Sequence, residues 1–244
     1  MKYIIFLSLL LSSLVADKLT IGAGPYIQTQ PYKNTKSITV PSPVLFYDNG
    51  IAYIRWTRIG LYFLGESKDE YSWGFSLTAL PRPYGYLASD SVALHGMDER
   101  KTSWEGGLAF GAKVDKAYIE ILAVSDLLNA NDAWVIKTEI GYEFKVNNFS
   151  FYPSVIAVYQ SSNFVNYYYG VKQEEVTTSR SFYHPNADMQ YGLQTYIQHP
   201  ITDGFSFFAN FKADLLSSEV TSSPIVDDNF IYSGILSLIY TFEQ

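Results

Sequence analysis

The chain has 244 residues, of which 48% are hydrophobic, 17% charged and 17% aromatic, with a formal net charge of −7. There is no cysteine, which excludes disulfides, thiolate metal sites and lipoprotein-style acylation. An acidic balance without a basic cluster to track a phosphate backbone excludes nucleic acid as a partner.

Met1 and Lys2 precede an apolar run over residues 3–11, and small residues over 12–16 lead to Asp17. This is the layout of a signal peptide, and its apolar part is too short to span a membrane as a helix. The expected organisation is a leader over 1–16, cleaved after Ala16, and one domain over 17–244. No later apolar stretch reaches transmembrane-helix length. A spanning protein of this sequence therefore has to be a closed barrel, because open sheet edges are unsatisfied in lipid. The charged fraction is below the roughly 25% of soluble domains, and 21 tyrosines suit the aromatic girdles of such a barrel.

In chain order, Leu19, Ile21, Ala23, Pro25 and Ile27 share one face of a first strand, opposite Thr20, Gly22, Gly24, Tyr26 and Gln28. Residues 44–64 give a crowded, weaker signal. Tyr71, Trp73, Phe75 and Leu77 then alternate with Ser72, Gly74, Ser76 and Thr78, and residues 118–124 are again weak. The clearest element is 133–146. There Trp134, Ile136, Thr138, Ile140, Tyr142, Phe144 and Val146 oppose Ala133, Val135, Lys137, Glu139, Gly141, Glu143 and Lys145. Side chains of a strand point to opposite faces in turn, so one face is apolar and the other charged. Met189, Tyr191 and Leu193 repeat the arrangement opposite Asp188, Gln190 and Gln194, as do Phe205, Phe207, Ala209 and Phe211 opposite Ser206, Phe208, Asn210 and Lys212. The last strand sets Phe230, Tyr232, Leu236, Leu238, Tyr240 and Phe242 against a half-polar face of Ile231, Ser233, Ile235, Ser237, Ile239 and Thr241.

Connections alternate in length, as short periplasmic turns and longer outer loops require. The short set is Asp48-Asn49-Gly50, 66–70, Asp115-Lys116, Asn147-Asn148 and 199–204. The long set is 29–42, 81–103, 127–132, 161–187 and 217–229, completed by a tight turn at Thr57-Arg58. The fold class is thus all-β: a transmembrane antiparallel up-and-down barrel of about twelve strands, with ten or fourteen also compatible. Both termini face the periplasm, and Asn166-Tyr167-Tyr168-Tyr169-Gly170 reads as a strand extension or part of a folded outer loop.

Five motifs in register resemble the MipA/OmpV family across essentially the whole mature chain: Gly22-Ala23-Gly24-Pro25-Tyr26; Pro43-Val44-Leu45-Phe46-Tyr47; Gly96-Met97-Asp98-Glu99-Arg100 leading to Glu105-Gly106-Gly107; Tyr168-Tyr169-Gly170-Val171; and Ser223-Pro224-Ile225-Val226. The resemblance implies a barrel in the outer membrane of a Gram-negative bacterium. It implies as well a scaffold that links murein hydrolases to synthases, with adhesion or osmotic response in other members. The family pattern ends on an aromatic residue, whereas here Phe242 is followed by Glu243 and Gln244.

Candidate chemistry is sparse. His95, His184 and His199 fall in loops or turns, and Ser181 near His184 does not make a triad from sequence distance alone. Asp227 and Asp228 lack the spacing of a calcium loop. The chain reads as a non-enzyme without cofactor or metal. Glu105, Lys113, Lys137, Glu139, Glu143, Lys145, Lys212 and Asp214 lie on polar strand faces, where exposure to lipid would be costly, and are expected to line the lumen. Their mixed signs favour salt-bridged filling over a selective pore. In the loops Tyr32, Tyr84, Tyr86, Tyr167, Tyr168, Tyr169 and Tyr183 are candidate contact residues, with Tyr167, Tyr168 and Tyr169 the most concentrated group. The expected function is a binding or scaffold protein for murein-remodelling enzymes; the alternatives are a narrow diffusion channel and an adhesin acting through the outer loops.

Overall fold

The computed structural model describes residues 18–82 and 85–243, so the expected leader and Tyr84 lie outside the described residues. Twelve strands form one closed antiparallel sheet. They are β1 (Lys18–Gln28), β2 (Ile38–Asp48), β3 (Ala52–Arg55), β4 (Arg58–Ser67), β5 (Tyr71–Arg82), β6 (Ser103–Val114), β7 (Ala117–Asp126), β8 (Trp134–Tyr142 continued by Phe144–Val146), β9 (Phe149–Gln160), β10 (Asp188–Pro200), β11 (Phe205–Leu215) and β12 (Phe230–Glu243). Each strand pairs with its sequence neighbours, and β1 pairs with β12 to close the wall from Lys18↔Glu243 to Gln28↔Ser233. Closure satisfies most of the backbone groups that lipid cannot. Among the described residues no helix is long and apolar enough to cross a membrane.

The ladder is interrupted where proline removes a donor. Glu143 turns its N–H to Lys116, just before β7 (2.7 Å), so even-numbered residues of β8 turn theirs to β9, and Tyr142 lies in register with Pro153. Pro153 has no N–H to give, and β8 breaks at Glu143. On the closing seam Gly24 is required by close approach. A Cβ there would sit 1.8 Å from the Leu236 carbonyl oxygen.

Alternation sorts the two faces. Along β8 the outward residues Trp134, Ile136, Ile140, Tyr142, Phe144 and Val146 are all exposed, while Val135, Glu139 and Gly141 are buried inside. Leu193, Phe211, Leu236 and Leu238 continue the exposed apolar belt, which is the surface hydrocarbon covers. The inward positions of β12 are only half polar because Ile235 and Ile239 pack inside the lumen with Val44 and Phe208 of nearby strands, against Phe46, Trp56 and Tyr196.

Turn positions follow the alternation of loop lengths, with two corrections. The short outer turn is Trp56-Thr57, and β2 begins at Ile38, inside the stretch expected to be a loop over 29–42. Pro41 and Pro43 lie within this strand, and proline is tolerated on a strand whose N–H side has no partner. The outer loops fold together as a cap over the barrel mouth. Residues 161–187 enter it through α1 (Ser162–Tyr169), so the Tyr167-Tyr168-Tyr169 segment is helical. A short α2 (Ser218–Thr221) belongs to the same cap.

Candidate functional site

The interior is built in three tiers. Nearest the periplasm Lys113 pairs with Glu143 at 2.8 Å, and Lys145, on the same inward register, stays exposed. Asp48 accepts from the Tyr62 hydroxyl (2.9 Å) and from Arg55 (3.3 Å).

At mid-height the inward charges pair with one another. The two-residue turn between β3 and β4 brings Arg55 and Arg58 together, and both reach Glu120 on β7, Arg55 at 3.1 Å and Arg58 closer still. Glu139 is the most connected group. It accepts from Lys137 Nζ (2.8 Å), Ser154 Oγ (2.9 Å), Gln194 Nε2 (3.2 Å) and, more weakly, Tyr118 Oη (3.4 Å), which come from four adjacent strands. Lys212 pairs with Asp214 at 2.8 Å. Above them Arg82 donates twice to buried Glu105, at 2.9 and 2.8 Å, and lies over the Phe164 ring of α1. Thus Asp48, Glu105, Glu120, Glu139, Glu143 and Asp214 each have a cationic partner. A bore neutralised pair by pair carries no field of one sign to select ions.

Arg55, Arg58, Arg82 and Glu120 were not among the residues expected inside. The first two lie at the ends of β3 and β4, and β3 has four residues, too few to show alternation. Glu120 falls in the weakly patterned segment 118–124.

The third tier is the cap. Arg100 holds Glu175 with two bonds (2.9 and 3.0 Å), both side chains almost fully buried, and donates to the Tyr167 carbonyl (2.6 Å). Arg180 binds three carbonyl oxygens, those of Ala93, His95 and Glu175. Such satisfaction is what makes buried guanidinium groups tolerable. Tyr168 and Tyr169 are buried in this cap beside Tyr32 and Tyr86, and Tyr167 accepts the Lys101 N–H on its hydroxyl (2.8 Å). The tyrosine segment is therefore turned inward instead of being displayed on the outer surface. Burial pushes the Tyr168 phenol up to about 12 and raises those of Tyr32, Tyr86 and Tyr169. At the cap rim the hydrogen bond from Lys172 (2.5 Å) lowers the Asp98 carboxyl, and the same bond raises the Lys172 ammonium.

His95 and His184 lie exposed in the cap, and His199 stacks on Phe149 at the opposite end, ring centroids 4.1 Å apart. Among the described residues no group of three acidic or histidine side chains is placed to hold a metal.

Comparison with known proteins gives a match between residues 21–242 and the model described as MltA-interacting protein MipA. The outer membrane protein YiaT of Escherichia coli K12 is 25% identical over 236 residues, covering 95% of this chain and 94% of that protein. The MltA-interacting protein of the same organism is 26% identical over 229 residues, covering 93% and 90%. Among solved structures, the COG4313 outer membrane channel from Pseudomonas putida F1 is similar at 12% identity and TM-score 0.42, covering 93% and 96%.

Proposed function

Because the chain belongs to the family of the MltA-interacting protein MipA, we propose that this outer-membrane barrel is a closed, non-enzymatic binding protein whose partner is a periplasmic murein-remodelling enzyme. The observation that carries the closed state is the pairwise neutralisation of the lumen beneath a folded cap. Twelve strands lie between the eight that side chains can fill and the sixteen that leave a channel, so the contents of the bore decide. Here Arg55 and Arg58 reach Glu120, three strands on from β4, inside the bore, the same-strand pairs Lys137–Glu139 and Lys212–Asp214 line its wall, and an arginine-clamped cap covers its mouth.

The partner class is suggested by the name of the Escherichia coli relative. The surface available to it is the periplasmic rim, where Ile51 (49% exposed) and Ile201 (56% exposed) stand on turns among Lys68, Asp69, Glu70, Asp115 and Lys116. Isolated apolar anchors with a charged surround suit a modest protein contact.

Two measurements test the reading. The mature protein in planar bilayers stays electrically silent, and stepwise conductance would instead make it a narrow diffusion channel. Beads carrying the detergent-extracted barrel retain a membrane-bound murein hydrolase, with loss on Ile51→Glu or Ile201→Glu. Retention unaffected by both changes would move the contact off this rim, and no retention at all would leave the outer cap as the binding face.

A further inference from the structure

The barrel wall is incomplete in its outer half. β2 runs from Ile38 to Asp48, but β3 pairs with it only over Phe46, Tyr47 and Asp48, and the hairpin turns back at Trp56-Thr57. On the other side β5 pairs with β4 no further than Ala79. Above the turn, 38–44 of β2 therefore face 80–82 of β5 across two missing strand positions. At the usual strand spacing this is about 14 Å of wall.

Apart from the N–H of Thr39 at the outer end of β2, both edges of this notch have lost their donors. Trp56 donates its backbone N–H to the Leu45 carbonyl at 2.8 Å, so Leu45 points toward β3. N–H groups alternate sides along a strand, so Pro43 and Pro41 point the same way, into the notch. Tyr62 donates to the Ile51 carbonyl (2.8 Å), away from β5, and its register partner is Ser76. Ser76 then points to β6, and Pro81, an odd number of residues on, points into the notch. Three prolines thus stand where an unpaired N–H would be most costly, and under-satisfied carbonyls are the lesser fault. The same prolines prevent an added strand from pairing, as they do on protected sheet edges.

The notch lies at the height of the apolar belt. Residues 38–43 pair with 23–28 of β1, whose Ile27 is an exposed outward residue, and Ile59 and Trp104, the latter opposite Pro81, continue the belt around the opening. Behind it stands Trp56, held at φ 58°, a conformation unfavourable for a bulky side chain. Its indole donates to Ser42 Oγ (3.0 Å) and meets the Tyr26 ring edge-on at 5.7 Å. Tyr26, Val40, Ser42 and Trp56 are only half-buried although they face inward, whereas Val44, the residue of this stretch nearest the turn, is fully buried.

We propose that this notch is a binding site for an acyl chain of a membrane lipid, which completes the wall and packs on Trp56 and Tyr26. The occupant follows from continuity with the lipid-facing belt and from edges whose prolines oppose pairing with a peptide strand. The site is independent of whether the lumen conducts.

The test uses brominated acyl chains, which quench tryptophan on contact. The chain has four tryptophans, and Trp73, Trp104 and Trp134 lie on the outward face. A protein carrying Trp73→Phe, Trp104→Phe and Trp134→Phe reports Trp56 alone, and one retaining only Trp104 is the reference. In vesicles of dibrominated phosphatidylcholine Trp56 loses emission comparably to Trp104. Emission from Trp56 that persists there, whether quenched by aqueous acrylamide or by neither agent, overturns the proposal, since the notch is then wet or sealed. Should the triple variant not fold, the difference between the natural chain and Trp56→Phe yields the same quantity.

Discussion

Glu139 is the point at which the interior is most open to measurement. Its side chain is 7% exposed and that of Lys137 is 27% exposed, and truncation to alanine removes the acceptor for Lys137, Ser154 and Gln194 together. A hydrogen bond to a charged group contributes about 1.5–3 kcal/mol, and removing one partner of a buried pair costs about 3–5 kcal/mol, because the remaining charge is stranded. Shared partners make these figures non-additive, so Glu139→Ala is expected to destabilise the barrel by about 3–5 kcal/mol. Glu139→Gln keeps the acceptor and its shape and should cost roughly half as much. Reversible urea unfolding in lipid vesicles, followed by tryptophan emission, reads both values. A double-mutant cycle with Lys137→Met isolates the pair, and the double variant should recover part of the loss. If Glu139→Ala costs under about 1 kcal/mol, the range of an exposed pair, the lumen around it is wet and the filled-bore argument fails.

Arg100→Ala strands the Glu175 carboxylate inside the cap, so the cap is expected to become protease-sensitive on intact cells while the barrel keeps its heat-modifiable migration; an intact cap would show that the pair is dispensable. Gly24→Ala drives a Cβ onto the Leu236 backbone and should reduce the folded fraction sharply, by opening the seam between the first and last strands. Normal heat-modifiable yield would place slack in that seam. For Asp98 and Lys172 the pH dependence has a definite sign. Asp98 is lowered in the folded state, so its contribution is present above the unfolded value of about 3.9 and lost as pH falls through the folded one. Lys172 is raised, so its contribution is present below about 10.4 and lost as pH rises through the folded value. Limited proteolysis of the cap should therefore be flat between about pH 5 and 9, and a step inside that window would contradict the pairing.

Strands that bury one face and show the other to lipid were legible because period two is written into them. In 133–146 every outward residue except Thr138 is apolar, and the alternating loop lengths gave the count. What the chain hides is pairing at a distance. Nothing local links Arg100 to Glu175 or Glu139 to Gln194, and Tyr167 to Tyr169 look like surface aromatics until a helix turns them inward. The outer half of β2 was hidden for another reason. Pro41 and Pro43 are breakers in a strand with two neighbours and harmless in a strand with one, and the sequence does not state how many neighbours there are. Ile235 and Ile239 blurred the last strand because the lumen they face is apolar at that level.

The wall defect and the packed interior are connected. An ordinary barrel strand is held by two ladders, but the outer half of β2 has one, and the β3–β4 hairpin ends in mid-wall. Something other than neighbouring strands has to hold that tip. Arg55 and Arg58 tie it to Glu120 on β7, three strands around the barrel from β4, while Trp56 ties it to Leu45 and Ser42 of β2. The hairpin is thus anchored from inside the bore, a solution open only to a barrel whose lumen is occupied. A wide aqueous channel could not supply those anchors at mid-height, so the short hairpin itself argues for a filled lumen.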